Sequence, residues 1–297
     1  MKQDGRPSVA VLGAGLIGVD LVSKAVRSDV LDFRLLVGRD ERTPGLRQAA
    51  RMGLGTSAEG IRALTEAEEP FDIVFDATNA MSHALHAELL APLGTMLIDL
   101  TPSKVGRMVV PTVNGLDATG FSDVNMVSCG GQASIPILHA VSRRHRLDYV
   151  EVVTTAASLS VGRSTRLNLD EYVGTTQDAV RDFTGAKEVK SILNISPARP
   201  PATFRVSMSL HGDKLTRGSV GAAVEEAVAA VRAFVGGYRV TACTVNDGTA
   251  FIAVEVTAHS DRIPKHAGNI DIINSAALHV AEQYARSNRP AVEKESA

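Results

Sequence analysis

The chain has only two cysteines, Cys129 and Cys243, in 297 residues. That is too few for a disulfide framework, so both thiols are expected to be free and the compartment a reducing cytoplasm. Charge of either sign is not in excess: 31 basic against 33 acidic side chains leave a net charge of −2, which offers no basic footprint to a nucleic acid. No apolar run approaches the ~20 residues that a membrane helix needs, and Met1 to Pro7 is polar, without the apolar core of a secretory signal. Neither a polynucleotide nor a membrane is expected as a partner. What remains is 44% hydrophobic and 22% charged, enough for a large core and long enough for two domains.

The apolar run Ser8 to Leu12 leads straight into Gly13-Ala14-Gly15-Leu16-Ile17-Gly18 and then a helical pattern with Leu21, Val22, Ala25 and Val26. Strand, glycine fingerprint and helix in that order give the motif its physical meaning. Gly13 allows the tight turn, Gly15 lets a pyrophosphate approach the backbone, and Gly18 lets helix and strand pack closely. A second strand, Phe33 to Val37, ends at Gly38-Arg39-Asp40. Asp40 there favours the free ribose hydroxyl of NAD, whereas Arg39 favours the 2′-phosphate of NADP, and the two pull in opposite directions. Asp72 to Asn79 reads as a buried strand whose polar end places Thr78 and Asn79 either beside the cofactor or in a loop cap. His83 and His86, three apart on the next helix, lack a third ligand in any metal-binding spacing, so a solvated helix face and no metal are expected. Strand and helix alternate to about Ser128, which predicts a doubly wound parallel sheet, a Rossmann fold.

Asn125 to Pro136 is the stretch around which the chain is organised. An extended run ends in Cys129, Gly130 and Gly131 are expected to form a turn, and a helix is expected to follow with Ser134 as N-cap and Pro136 near its first position. A thiol between strand and helix sits near unpaired N–H groups and the positive end of the helix dipole, which favour the thiolate. The N–H groups of Gly130 and Gly131 are candidate donors to an oxyanion. From Tyr149 the texture changes to alternating strands separated by two helices, an α+β domain, with Cys243 a packed residue inside a strand. The expected divisions are a dinucleotide domain over 1–128, a catalytic and dimerisation domain over 129–268, a helix over 269–286 returning to the first domain, and a loose polar tail over 287–297.

Asn125 to Pro136, Gly13 to Gly18, Phe75-Asp76-Ala77-Thr78, Leu97 to Pro102, Asn168-Leu169-Asp170-Glu171 and Ala267 to Ile272 together resemble the acylating acetaldehyde dehydrogenase family. The resemblance implies a glyceraldehyde-phosphate-dehydrogenase-like fold and oxidation of acetaldehyde, or another short-chain aldehyde, with NAD and coenzyme A to acetyl-CoA. It further implies a homodimer or higher oligomer working with a 4-hydroxy-2-oxovalerate aldolase. By that likeness Cys129 is the acyl-thioester nucleophile. The cofactor is expected on Ala14 to Ile17, Ser158, Leu159, Ser160, Val161, Gly162, Arg163, Ser164, Thr165, Arg166 and Asn269.

Three departures accompany the likeness. The loop Ser160 to Arg166 differs from the family's usual Ser-Ala-Gly-Pro-Gly-Thr-Arg, and the segment between Tyr238 and Phe251 is shorter than usual. Val206 stands where the family carries an aspartate credited with activating the cysteine. Two alternatives stay open: a phosphorylating semialdehyde dehydrogenase of the same architecture, and a weakly active NAD-binding paralogue serving as an aldolase subunit.

Overall fold

The computed structural model of the chain describes residues 5–288. Its first half alternates as expected: β1 (Ser8–Leu12), α1 (Leu16–Ala25), β2 (Asp32–Val37), α2 (Pro44–Arg51), β3 (Gly55–Ser57), α3 (Arg62–Thr65), β4 (Ile73–Asp76), α4 (Ala80–Leu90) and β5 (Met96–Asp99). Then come β6 (Arg107–Met108), α5 (Pro111–Asn114) and β7 (Asp123–Asn125). These strands form one parallel sheet in the order β3-β2-β1-β4-β5-β7-β6. β1, β4 and β5 are buried along their whole length, as parallel strands between helix layers must be. Alternate residues of β1 serve opposite layers: Val9 and Val11 pack in one core with Leu21 and Val22, Ala10 and Leu12 in another with Leu64 and Leu90.

The second half comprises α6 (Cys129–Ser142), β8 (Leu147–Ala157), α7 (Arg163–Leu167), α8 (Leu169–Thr184), β9 (Glu188–Ser196) and β10 (Phe204–Gly212). It ends with α9 (Arg217–Arg232), β11 (Tyr238–Asn246), β12 (Thr249–Val256) and α10 (Gly268–Ser287). Its five strands run in the order β11-β12-β10-β8-β9, antiparallel except for the β8–β9 pair. One face is the apolar core, where Val152, Val206, Met208 and Ile252 pack with Leu138, Ala179 and Val224 of α6, α8 and α9. Phe251 projects from the other face, 42% exposed, the face that also carries the Arg205–Glu255–Arg239 ion cluster. Cys243 is half-buried within β11.

The last helix leaves this second sheet and packs on α1. Lys24 of α1 pairs with Asp271, and the fully buried Asp20 accepts from Asn274 Nδ2 at 2.9 Å and Ser260 Oγ at 2.6 Å. The polar tail expected over 287–297 lies outside the described residues from 289 onward.

The expectation for His83 and His86 is overturned. Both are buried, because Asp76, at the end of β4, needs donors and α4 starts four residues later. His83 Nδ1 and His86 Nδ1 lie 2.9 and 2.7 Å from Asp76 Oδ2, while Met81 and Leu85 of the same helix are exposed.

Candidate active site

The site begins where β7 ends. Asn125, fully buried, donates from Nδ2 to Asp99 Oδ2 at 2.7 Å and to the Ser103 carbonyl at 3.0 Å, and its Oδ1 accepts from Val127 N–H at 2.7 Å. Val127 has φ 62°, a left-handed conformation that costs a β-branched residue on the order of 1–3 kcal/mol. Gln132 clamps the same segment, donating to the carbonyls of Met126 at 2.9 Å and Val109 at 2.8 Å. The turn so held delivers Ser128 in an extended conformation, with its Oγ accepting from Gly131 N–H at 2.9 Å. Ser128 is therefore the N-cap, and Cys129 is the first residue of α6.

This corrects the expected helix start. Ser134 lies inside the helix, where its Oγ donates to the Gly130 carbonyl at 2.8 Å, and Pro136 lies inside it as well. The two glycines are helical, and close neighbours require them. A Cβ on Gly130 would sit 2.2 Å from Thr154 Oγ1 and 2.7 Å from the Tyr172 hydroxyl, and one on Gly131 would sit 2.7 Å from Val127 Cγ1. Nor are their N–H groups vacant donors: Gly130 donates to Tyr172 Oη at 3.0 Å and Gly131 to Ser128.

The sulfur lies 3.3 Å from the Tyr172 hydroxyl. Burial pushes the Cys129 thiol up to about 11, opposed by hydrogen bonds from Tyr172 and from the N–H groups of Gly130 and Cys129. The start of α6 adds its dipole on the side of the thiolate.

Cys129 lines a cavity of about 410 Å³ together with Gly15, Leu16, Ile17, Thr78, Asn269 and the loop Ser160 to Thr165. A second cavity, about 460 Å³, holds Gly13, Ala14, Gly15, Arg39 and Asp40, and shares Thr78, Arg163 and Ser164 with the first. The pair suits a dinucleotide. Gly13 has φ 120° and its Cβ would strike the Ala77 carbonyl at 2.5 Å, Gly18 packs on the Gly13 carbonyl, and the space beside Gly15 is open. Asn269 donates to the Ser160 carbonyl at 2.9 Å, which leaves its buried Oδ1 without a partner, an acceptor ready for a carboxamide.

Not every expected residue reaches this space. Ser158, Leu159 and Arg166 line neither cavity: Leu159 is 65% exposed, and Arg166 folds back onto the Ser158 carbonyl and Oγ, at 2.9 and 2.8 Å. Asn79 caps α4, its Oδ1 accepting from Ser82 N–H at 3.1 Å, and it also lines the second cavity. Asp40 is held by Arg42, which binds both carboxylate oxygens at 3.1 and 3.0 Å and keeps the carboxyl below its usual range.

Beneath the cavities, at the C-terminal ends of adjacent strands, lies a buried ionic cluster. Asp76 and Asp99 are register partners of β4 and β5. His83 Nδ1 lies 2.9 Å from Asp76 and 3.5 Å from Asp99, and its Nε2 is 3.4 Å from Asp123. Burial alone would lower the imidazole, but these three carboxylates raise it to about 10. Burial raises Asp99 to about 7. Asp76 is held at about 2, against its own burial, by hydrogen bonds from His83 and His86. Asp76, His83 and Asp99 are close enough to ligate an ion, yet the carboxylates already have donors: His83, His86 and Thr78 on Asp76, and Thr101 N–H, Ser103 Oγ and Asn125 Nδ2 on Asp99.

Residues 129–264 match the family described as prokaryotic acetaldehyde dehydrogenase, dimerisation. The acetaldehyde dehydrogenase of Streptomyces griseus is 54% identical over 288 residues, 95% of this chain and 93% of that protein. This chain belongs to the acetaldehyde dehydrogenase family. The acetaldehyde dehydrogenase of Geobacillus stearothermophilus is 41% identical across 94% of this chain and 96% of its own. The fold is also that of an aspartate semialdehyde dehydrogenase from Vibrio cholerae, with TM-score 0.61 at 15% identity, covering 95% of this chain and 97% of that one. Within the acetaldehyde dehydrogenase family frame, position 206 gains meaning. Val206 is fully buried in β10, opposite Thr154 of β8, so no carboxylate approaches the sulfur from that strand. The side chain hydrogen-bonded to Cys129, among the described residues, is Tyr172, which the sequence reading did not single out although it directly follows the Asn168 to Glu171 motif.

Proposed function

We propose that the protein oxidises acetaldehyde, or another short aldehyde, with NAD and coenzyme A to the acyl-CoA through a thioester on Cys129. One observation carries this reading: the sulfur at the head of α6 shares a single cavity with Gly15, the Ser160 to Thr165 loop and the unpartnered Asn269 Oδ1. The Cys129 thiolate adds to the aldehyde carbon, forming the S–C bond and leaving the carbonyl electrons on oxygen. Nicotinamide, when bound, accepts the hydride that leaves this carbon. The thioester left on Cys129 is cleaved by the coenzyme A thiol, which frees the sulfur. Apolar walls from Val127, Ala156, Leu193 and Ile273 limit water at the thioester. No histidine lines this cavity, so a Cys–His pair of the phosphorylating kind has no counterpart among the described residues.

The test is NADH formation from acetaldehyde with and without coenzyme A. Cys129→Ala is expected to lose more than about a thousandfold in kcat, and Cys243→Ala to keep wild-type turnover. Wild-type turnover in Cys129→Ala, or turnover that does not require coenzyme A, would sink the reading.

The reading includes a homodimer formed through the open face of the second sheet, where Phe251 lies exposed, and an aldolase of the 4-hydroxy-2-oxovalerate type as the source of aldehyde in the cytoplasm. Size-exclusion chromatography with light scattering, alone and after co-expression with that aldolase, is expected to give a dimer and then a co-eluting complex. A monomer, or no co-elution, rejects the corresponding part.

A further inference from the structure

A phenol hydroxyl has one proton to donate and lone pairs to accept with. At Tyr172 the accepting side is taken by Gly130 N–H at 3.0 Å. Its single proton therefore has two possible destinations, Cys129 Sγ at 3.3 Å and Thr154 Oγ1, which is buried without a well-formed hydrogen bond and lies within reach. An anionic sulfur is the stronger acceptor of the two. The ring is fixed for this task. Tyr172 is 4% exposed in the first turns of α8, and the helix start is tied to α4 through Asn168 Oδ1, which accepts from Ala80 N–H at 3.4 Å. Val206, the β10 register partner of Thr154, carries no group that accepts a proton.

We propose that Tyr172 is a catalytic residue whose hydroxyl donates a hydrogen bond to the Cys129 sulfur and holds it as the attacking thiolate. The assignment rests on the reading of Cys129 as nucleophile. Burial lifts the phenol well above its ordinary value, so Tyr172 remains a donor throughout and does not act as the base. The thiol proton leaves to water in the cavity, and Tyr172 keeps its own. When the S–C bond forms, the negative charge passes from sulfur to the former carbonyl oxygen and the demand on the Tyr172 hydrogen bond falls. The charged side chain sharing this cavity is Arg163, which the variants below leave in place.

The experiment follows iodoacetamide alkylation of Cys129 against pH, by peptide-resolved mass spectrometry so that Cys243 is counted separately. It needs neither substrate nor turnover. Tyr172→Phe, which removes one oxygen and keeps the ring, is expected to move the alkylation midpoint to higher pH by about one unit, so that alkylation near neutrality slows about tenfold. Difluorotyrosine at position 172, a stronger donor of almost the same size, is expected to move the midpoint the other way. An unchanged midpoint in a folded Tyr172→Phe protein overturns the proposal, and so does an unchanged midpoint with difluorotyrosine should Tyr172→Phe fail to fold. Both shifts in a protein that makes no NADH from aldehyde would leave the hydrogen bond standing and reject the functional reading instead.

Discussion

Asp40 is the residue expected to choose the cofactor, and its neighbour constrains it. A carboxylate already bonded through both oxygens to Arg42 has less to offer a ribose hydroxyl, and the guanidinium beside it softens its repulsion of a 2′-phosphate. Arg42→Ala is therefore expected to raise the NAD over NADP ratio of kcat/KM several-fold. An unchanged ratio would show that the pair breaks when cofactor binds. Residue by residue, what the sequence made legible was whatever a local motif carries: Gly13, Gly15, Cys129 and Asn269 all line the two cavities. Tyr172, 43 positions from Cys129, was not legible, because its place depends on how α8 lies across α6. Arg42 stands two positions after Asp40 in the short mixed charge run Asp40-Glu41-Arg42, which by itself names no partner for it. Its reach back to Asp40 is a property of the turn.

Among the elements, the segment from β7 to α6 misled most. Ser128 and Ser134 both satisfy the composition rule for an N-cap, and the Gly-Gly pair between them reads as a turn when taken alone. The helix starts at the first serine because Gly130 and Gly131 are small for the sake of Thr154, Tyr172 and Val127, contacts no local rule contains. The left-handed Val127 is held by Asn125. Asn125→Ala removes that acceptor and leaves Asp99 and the Ser103 carbonyl short of a donor, at an expected cost of about 2–4 kcal/mol. A fall in Tm together with slower alkylation of Cys129 is the expected result, and loss of neither would mean that burial alone holds the turn. Helix α4 shows the opposite failure. Its His83 and His86 were read as a wet face from their spacing, although the register of β4 and β5 sets Asp76 beside Asp99, and a parallel-sheet reading contains that adjacency.

For the whole molecule, the ionic cluster under the cavities sets a pH dependence of stability. His83 is raised from 6.5 to about 10 in the folded state, so the folded chain keeps a proton that the unfolded chain releases. The stabilisation is full below about pH 6.5 and is lost as pH rises through 10. Asp99, raised to about 7, works in the same direction from about pH 4 upward. The urea midpoint is expected to decline between pH 6.5 and 8.5, and His83→Gln, less stable at every pH, is expected to flatten that decline. An equal slope in both proteins would place the linked proton elsewhere.

The return of α10 to α1 bears on how the molecule is made. Asp20 is spoken for by Ser260 and Asn274, and Lys24 by Asp271, so a nascent chain that has emerged only as far as the Cys129 helix carries a cofactor half whose first helix still lacks these partners. That half can gather around its parallel sheet early, but it can close only when almost all of the described chain has left the ribosome. Nucleotide capture during translation would therefore come last, and cofactor supplied to stalled chains ending before residue 260 should protect them little from proteolysis.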